Sequence, residues 1–197
     1  MITVKINGEE RQYPQGATYE DVANDYQKEY DNLIALAARD GKIRELFKKL
    51  TRDCEITFFT LKDDVGNKTY VRSATMLFLK AVFDVFGRET VQNCRVEFAI
   101  GNGSYISPKG KINATEENAA KIRNRMRELV EAKTPFLKKS YSLDNAMELF
   151  RREGMKDKEK LFRYRRGSFV NIYEMDGYYD YYYGYMLPNA GYVKWFD

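Results

Sequence analysis

The chain has 197 residues, 44% hydrophobic and 15% aromatic, enough to build real cores, which excludes global disorder. Its 33 basic and 29 acidic residues leave a formal net charge of only +4, so an anionic partner must be drawn by local clustering rather than by overall charge. Histidine is absent, which removes the commonest general base, the commonest zinc ligand and the usual serine and cysteine triads.

The two cysteines, Cys54 and Cys94, are far apart and form no C-x-x-C pair, which argues against a disulfide scaffold or zinc ribbon and for a reduced, cytoplasmic setting. The opening Met1 to Ile6 is not a signal segment, and no apolar run approaches the ~20 residues of a membrane span, so a soluble protein with no membrane partner is expected. Neither Gly41-Lys42 nor Gly110-Lys111 has a glycine five positions upstream, so no phosphate loop is present and this chain is not itself an ATP-driven kinase.

In chain order, Ile2, Val4 and Ile6 alternate before the Asn7-Gly8 turn, and Arg11 to Tyr13 resumes an extended run, which predicts a hairpin. Thr18 caps a helix whose first turn holds Glu20 and Asp21 and whose Val22, Ala23 and Tyr26 share a face. Leu33 to Ala38 reads as a buried strand, Leu46 to Leu50 as a short helical turn, and Glu55 to Leu61 as the last strand of a small β-grasp domain. The polar stretch Lys62 to Asn67 reads as a link. Beyond it, Leu77, Phe78, Ala81, Val82 and Val85 predict a core-facing helix over Ser73 to Phe86, closed by Gly87.

Residues 95 to 106 return to strand. Thr115 opens a charged helix running to about Lys133, with Ile122, Met126, Leu129 and Val130 inward. Ser142 caps a further helix ending at Gly154. From Tyr164 the chain is β-like, with Phe169, Val170, Ile172 and Tyr173, then Tyr178 to Tyr185. Segregated runs of helix and strand predict an α+β fold with an antiparallel sheet and no internal repeat.

The element order and three short stretches resemble the first two domains of threonyl-tRNA synthetases, the TGS domain and the second additional, editing domain. The stretches are Val71-Arg72-Ser73-Ala74-Thr75-Met76, Ile100-Gly101-Asn102-Gly103-Ser104-Tyr105, and Asp180 to Gly191 with its Pro188-Asn189-Ala190-Gly191 turn. They answer to the family's R-H-S-x-x-H, I-G-…-N-G-F-Y and D-x-C-x-G-P-H-x-P-N-T-G. The likeness covers the chain and implies a TGS-like domain over residues 1–62 and an editing-like domain over 67–197.

In that family two histidines on the helix, with a cysteine and a histidine near the end, converge on a cleft that hydrolyses mischarged tRNA. The same positions here are Arg72, Met76, Tyr182 and Met186, a degenerate set with no catalytic residue and no metal ligand implied. A thioether or phenol does not shuttle protons near neutral pH, and arginine stays charged. The cleft would offer an arginine and a polarizable wall to a nucleotide or a tRNA acceptor end; in the rival reading the two methionines simply fill it.

A group of bacterial nucleoside (uridine) kinases carries these two domains ahead of a P-loop kinase domain, and the ending Gly191 to Asp197 looks like the join. The resemblance therefore implies a non-catalytic binding or regulatory region. Its partner would be a downstream kinase domain of the same chain, where ATP and Mg would act; this part would need no cofactor. A residual deacylase or tRNA-binding module and an oligomerisation scaffold, giving a homo-oligomer, are the alternatives.

Two further stretches carry weaker signals. Strand alternation places Tyr179, Tyr181, Tyr183 and Tyr185 on one face and Tyr178, Asp180, Tyr182 and Gly184 on the other, mainly as structure, although such rings can stack bases. Residues 151 to 166 hold eight basic side chains against Glu153, Asp157 and Glu159, a mixed run that is usually solvated surface but can grip phosphates. Glu97 and Asp180 do not by themselves make an acid and base pair, and Cys54 and Cys94 read as small core residues.

Overall fold

A computed structural model describes residues 1–100, 103–108 and 112–196, so Gly101 and Asn102 of the second motif and the terminal Asp197 lie outside the described residues. Strands β1 (Ile2–Ile6) and β2 (Glu9–Tyr13) form the expected hairpin. Asn7 and Gly8 take positive φ values of 52° and 88°, the conformation a two-residue hairpin turn requires. Helix α1 (Tyr19–Tyr26) opens with a capping box: Thr18 Oγ1 accepts from the Asp21 amide, and the Asp21 carboxylate accepts from the Thr18 amide at 2.7 Å.

Strands β3 (Ile34–Arg39), β4 (Lys42–Glu45) and β5 (Cys54–Thr60) complete a five-stranded sheet in the order β2-β1-β5-β3-β4, with β1 and β5 parallel. This is the β-grasp arrangement, with one strand more than the sequence shows. Leu46 to Leu50, expected as a helical turn, is instead a non-helical turn and coil after β4. The α1 side of the sheet closes over Val4, Ile6, Tyr19, Val22, Tyr26, Leu46 and Ile56.

Helix α2 runs from Asp64 to Phe86, so most of the stretch expected as a polar link is the helix's first turn and the true connection is Leu61 to Asp63. Two features make it tight. The Asp63 side chain accepts from the Thr60 amide at 2.7 Å and from the Thr60 hydroxyl at 3.0 Å, binding strand end to helix start. Gly66 lies so close to β5 that a Cβ there would sit 1.9 Å from the Thr60 carbonyl oxygen. The missing side chain at residue 66 is what lets helix and strand touch.

Past Gly87, a short helix α3 (Arg88–Asn93) leads to a hairpin of β6 (Arg95–Ile100) and β7 (Gly103–Ser107). Helix α4 (Glu116–Glu131), capped by Thr115, packs on α2 through Met126 and Leu129. Strand β8 (Leu137–Ser142), unmarked in the sequence, precedes α5 (Leu143–Arg152), which Ser142 caps, and α6 (Lys156–Arg163), which was not expected either. Strands β9 (Phe169–Met175) and β10 (Tyr178–Asp180) complete an antiparallel sheet in the order β10-β9-β8.

Alternate residues of β9 face opposite layers. Val170 and Ile172 pack with Phe150 and Phe162 of α5 and α6, while Tyr173 and Met175 join the core around α2. That core also takes in Ala35 and Leu36 of β3, so the far side of the β-grasp sheet is covered by α2. The α+β class stands, and no helix among the described residues is long and apolar enough to cross a membrane.

Gly66→Ala tests the helix-strand joint. In an open helix this change stabilises by about 1 kcal/mol. Here the methyl overlaps a carbonyl oxygen, so a loss of about 1–3 kcal/mol is expected in urea denaturation.

Candidate functional site

The first half of α2 presents Arg72, Ser73 and Met76 to the segment that follows β10, and the structure gathers all four inherited positions around this contact. Ser73, fully buried, donates its hydroxyl to the Thr69 carbonyl at 2.9 Å and accepts from the Leu187 amide at 2.9 Å, so it pins the segment to the helix. The Met186 sulfur lies 3.9 Å from the same hydroxyl. Met76 and Met186 are both at 0% exposure, within the main core.

Arg72 is half-buried and donates to the Tyr185 carbonyl at 3.2 Å. Its guanidinium lies across Gly184, whose φ is 139° and where a Cβ would come within 2.5 Å of the guanidinium carbon. Tyr182 packs edge-on against Tyr173, with ring centres 6.5 Å apart. Its hydroxyl is buried beside the Asp180 carboxylate, and burial first, then that carboxylate, raises its pKa.

A residue that sequence reasoning passed over organises this contact. Glu45, at the end of β4, is 3% exposed. Lys138 of β8 donates to Glu45 Oε2 at 2.9 Å, the Met186 amide donates to Oε1 at 3.2 Å, and the Tyr173 hydroxyl also bonds to Oε1. The Tyr173 oxygen lies 2.8 Å from the Gly184 carbonyl as well, so its one proton faces two acceptors. Burial, then the Glu45 charge, raises the Tyr173 pKa. The β-grasp domain thus places one carboxylate directly behind the inherited site. Ile43 and Glu45 share the inward face of β4, the signal that recognising this strand would have supplied.

The Pro188 to Gly191 turn forms as expected: Asn189 Oδ1 accepts from the Gly191 amide at 3.0 Å. The preceding Tyr70 hydroxyl on α2 donates to the Trp195 carbonyl and accepts from its amide, each at 2.7 Å.

The chain matches a threonine-tRNA ligase of Thermotoga maritima at 30% identity over 200 residues, covering 99% of the chain. A second, from Maricaulis maris, is 28% identical over 193 residues, and a third, from Carboxydothermus hydrogenoformans, is 26% identical over 207. Over its whole length the chain is similar to threonine-tRNA ligases. It spans only about three-tenths of the length of these relatives, 30% of the first two and 31% of the third. No family model matches.

The tyrosine run behaves as alternation predicts only while the chain stays near the sheet. Tyr179 and Tyr181 join the α5–α6 core and Tyr178 and Tyr182 the main core, but Tyr185 also turns to the main core and Tyr183 is 85% exposed. The strand ends at Asp180, and Gly184 redirects the chain. Asp180 is buried in an ion pair with Lys158 and accepts from the Tyr181 amide, whereas Glu97 is exposed on β6. Cys54 and Cys94 are partly buried thiols whose pKa values burial raises.

Removing Glu45 takes the acceptor from the mostly buried Lys138 and from the buried Met186 amide. Glu45→Ala is expected to cost about 3–5 kcal/mol, the usual penalty for breaking a buried pair. Glu45→Leu with Lys138→Met should recover much of that loss, as chemical denaturation of both variants would show.

Proposed function

We propose that the chain is a non-catalytic, tRNA-related binding module built on an aminoacyl-tRNA editing scaffold. The similarity to threonine-tRNA ligases supports the tRNA-related class. The observation that carries the loss of catalysis is the composition and packing of the four inherited positions. None offers a group that exchanges a proton near neutral pH, and Met76 and Met186 are sealed in the core. Neither thioether supplies a base or a metal ligand to activate water, so an ester would have to be hydrolysed through the substrate's own hydroxyl, without help from these side chains.

Within this reading Arg72 remains as the remnant binding group. Arg72 is half-buried, with its guanidinium on the Tyr185 carbonyl, and is the one cation of the four positions, hence the member able to meet a phosphate. Met76 and Met186, with Tyr182 packed against the same core, fill the rest of the inherited site. Catalysis by the parent protein, on the same reading, belongs to an ATP- and Mg-dependent nucleoside kinase domain after residue 197. What supports that step is the resemblance together with a preserved fold around a site stripped of its chemistry. The codons following residue 197 test it through the presence or absence of a Walker phosphate loop.

The purified chain is expected to leave seryl-tRNA hydrolysing at the buffer rate, with no stoichiometric zinc after metal-free preparation. It should still bind uncharged tRNA, and Arg72→Ala should weaken that binding and reduce the slope of log affinity against log salt by roughly 0.7–0.9, one phosphate contact. Deacylation by the unmodified chain overturns the non-catalytic reading; absence of tRNA binding overturns the RNA-related one.

A further inference from the structure

The sequence run from Lys160 to Phe169 reads Lys-Leu-Phe-Arg-Tyr-Arg-Arg-Gly-Ser-Phe, with four basic residues and no acid. In the structure it spans the last turn of α6, the α6–β9 loop and the first residue of β9. Every residue from Arg163 to Phe169 is exposed, Tyr164 at 87% and Phe169 at 68%. Both are large rings that folding left in water at either end of the arginine loop. Phe162 alone turns inward and anchors the segment against Phe150, with ring centres 5.4 Å apart.

The charges in this run are unequally committed. Arg163 is held by Glu159 at 2.9 Å. Arg165 is held by a neutral partner, the Tyr181 hydroxyl, with its guanidinium 5.3 Å from that ring's centre, so its charge is uncompensated. Arg166, Lys160 and Tyr164 have no side-chain partner among the described residues. Glu159, immediately before Lys160, is the last acid ahead of the run, and its carboxylate is taken up by Arg151 and Arg163. A chain with a net charge of only +4 therefore concentrates three uncompensated cations beside an exposed aromatic ring.

We propose that this α6–β9 segment grips a single-stranded stretch of RNA, with Lys160, Arg165 and Arg166 on phosphates and Tyr164 stacked on an unpaired base. The inference rests on the reading of the chain as an RNA-binding module and adds a contact surface separate from the Arg72 remnant. Cations alone would suit any polyanion. Exposed ring faces favour unpaired bases, because a duplex keeps its base faces stacked inside. Phe169, five residues past Tyr164 and so within about 18 Å of it along an extended chain, offers a second platform within the span of a few nucleotides.

Fluorescence anisotropy with a labelled 12-nucleotide adenylate RNA, the same sequence as DNA, an RNA duplex and an uncharged tRNA tests this. Three phosphate contacts predict that affinity for the single strand falls about 20-fold between 50 and 200 mM salt. Lys160→Ala with Arg166→Ala should reduce that response to about 3-fold. Tyr164→Ala should weaken binding about 5-fold or more while leaving the salt response unchanged. These side chains have no partners to lose, so circular dichroism should be unaltered in both variants. Equal binding by both variants and the parent chain overturns the segment as the site. Preference for duplex or for DNA overturns single-stranded RNA as its occupant. If tRNA is bound undiminished by the variants, only this inference falls; if no probe binds the parent chain, the RNA-related reading falls with it.

Discussion

Glu45 is a carboxylate carried out of water on an edge strand of one domain and neutralised by groups belonging to the other. Lys138 supplies the charge, Tyr173 and the Met186 amide supply further hydrogen bonds, and the methionine at 186 is one of the inherited site positions. A buried charge tolerates little displacement, since its partners lose most of their value once water or a gap intervenes. The relative placement of the two domains, the course of the segment after β10 and the burial of Met186 therefore meet in one group of contacts. The desolvation cost of such a pair leaves its net stabilisation small. What it gives is a defined geometry.

Around that fixed frame the site has been refilled rather than opened. Two thioethers, long and soft, pack into the core without asking for hydrogen bonds. Ser73, which the family motif also carries, keeps its structural task of holding the Leu187 amide. Arg72 uses a slot that exists because residue 184 has no side chain, and Gly184 belongs to the same inherited motif. The scaffold's glycines and serine thus outlast its proton-transfer groups, because they serve the backbone and not the reaction.

Much of this was legible from residue patterns. The Asn7-Gly8 hairpin, the Thr18, Thr115 and Ser142 caps and the inward faces of α1, α2 and α4 all follow from local rules whose signals lie within a few residues of each other. The errors share a different cause. Gly66 reads as part of a polar link because its reason, the Thr60 carbonyl, is visible only in three dimensions. Strands β4 and β8 are polar and short, with Lys42, Arg44, Lys138 and Lys139 in place of apolar alternation, because each has only one packed face or lies at a sheet edge. The four site positions were found through resemblance, whereas Glu45 looks like any surface charge until its strand is recognised.

The joint between β5 and α2 also bears on what counts as a unit of folding. Ala35, Leu36, Ile43, Phe59 and Leu61 of the first domain are packed in the core centred on α2, so severing the chain at residue 62 would leave a raw apolar face on each half. Two folds that can be told apart by topology share one interior here, and Asp63 and Gly66 leave no slack between them. Heat or denaturant should consequently meet them as a single cooperative body. The boundary is one of ancestry, drawn through a region where the energy has none.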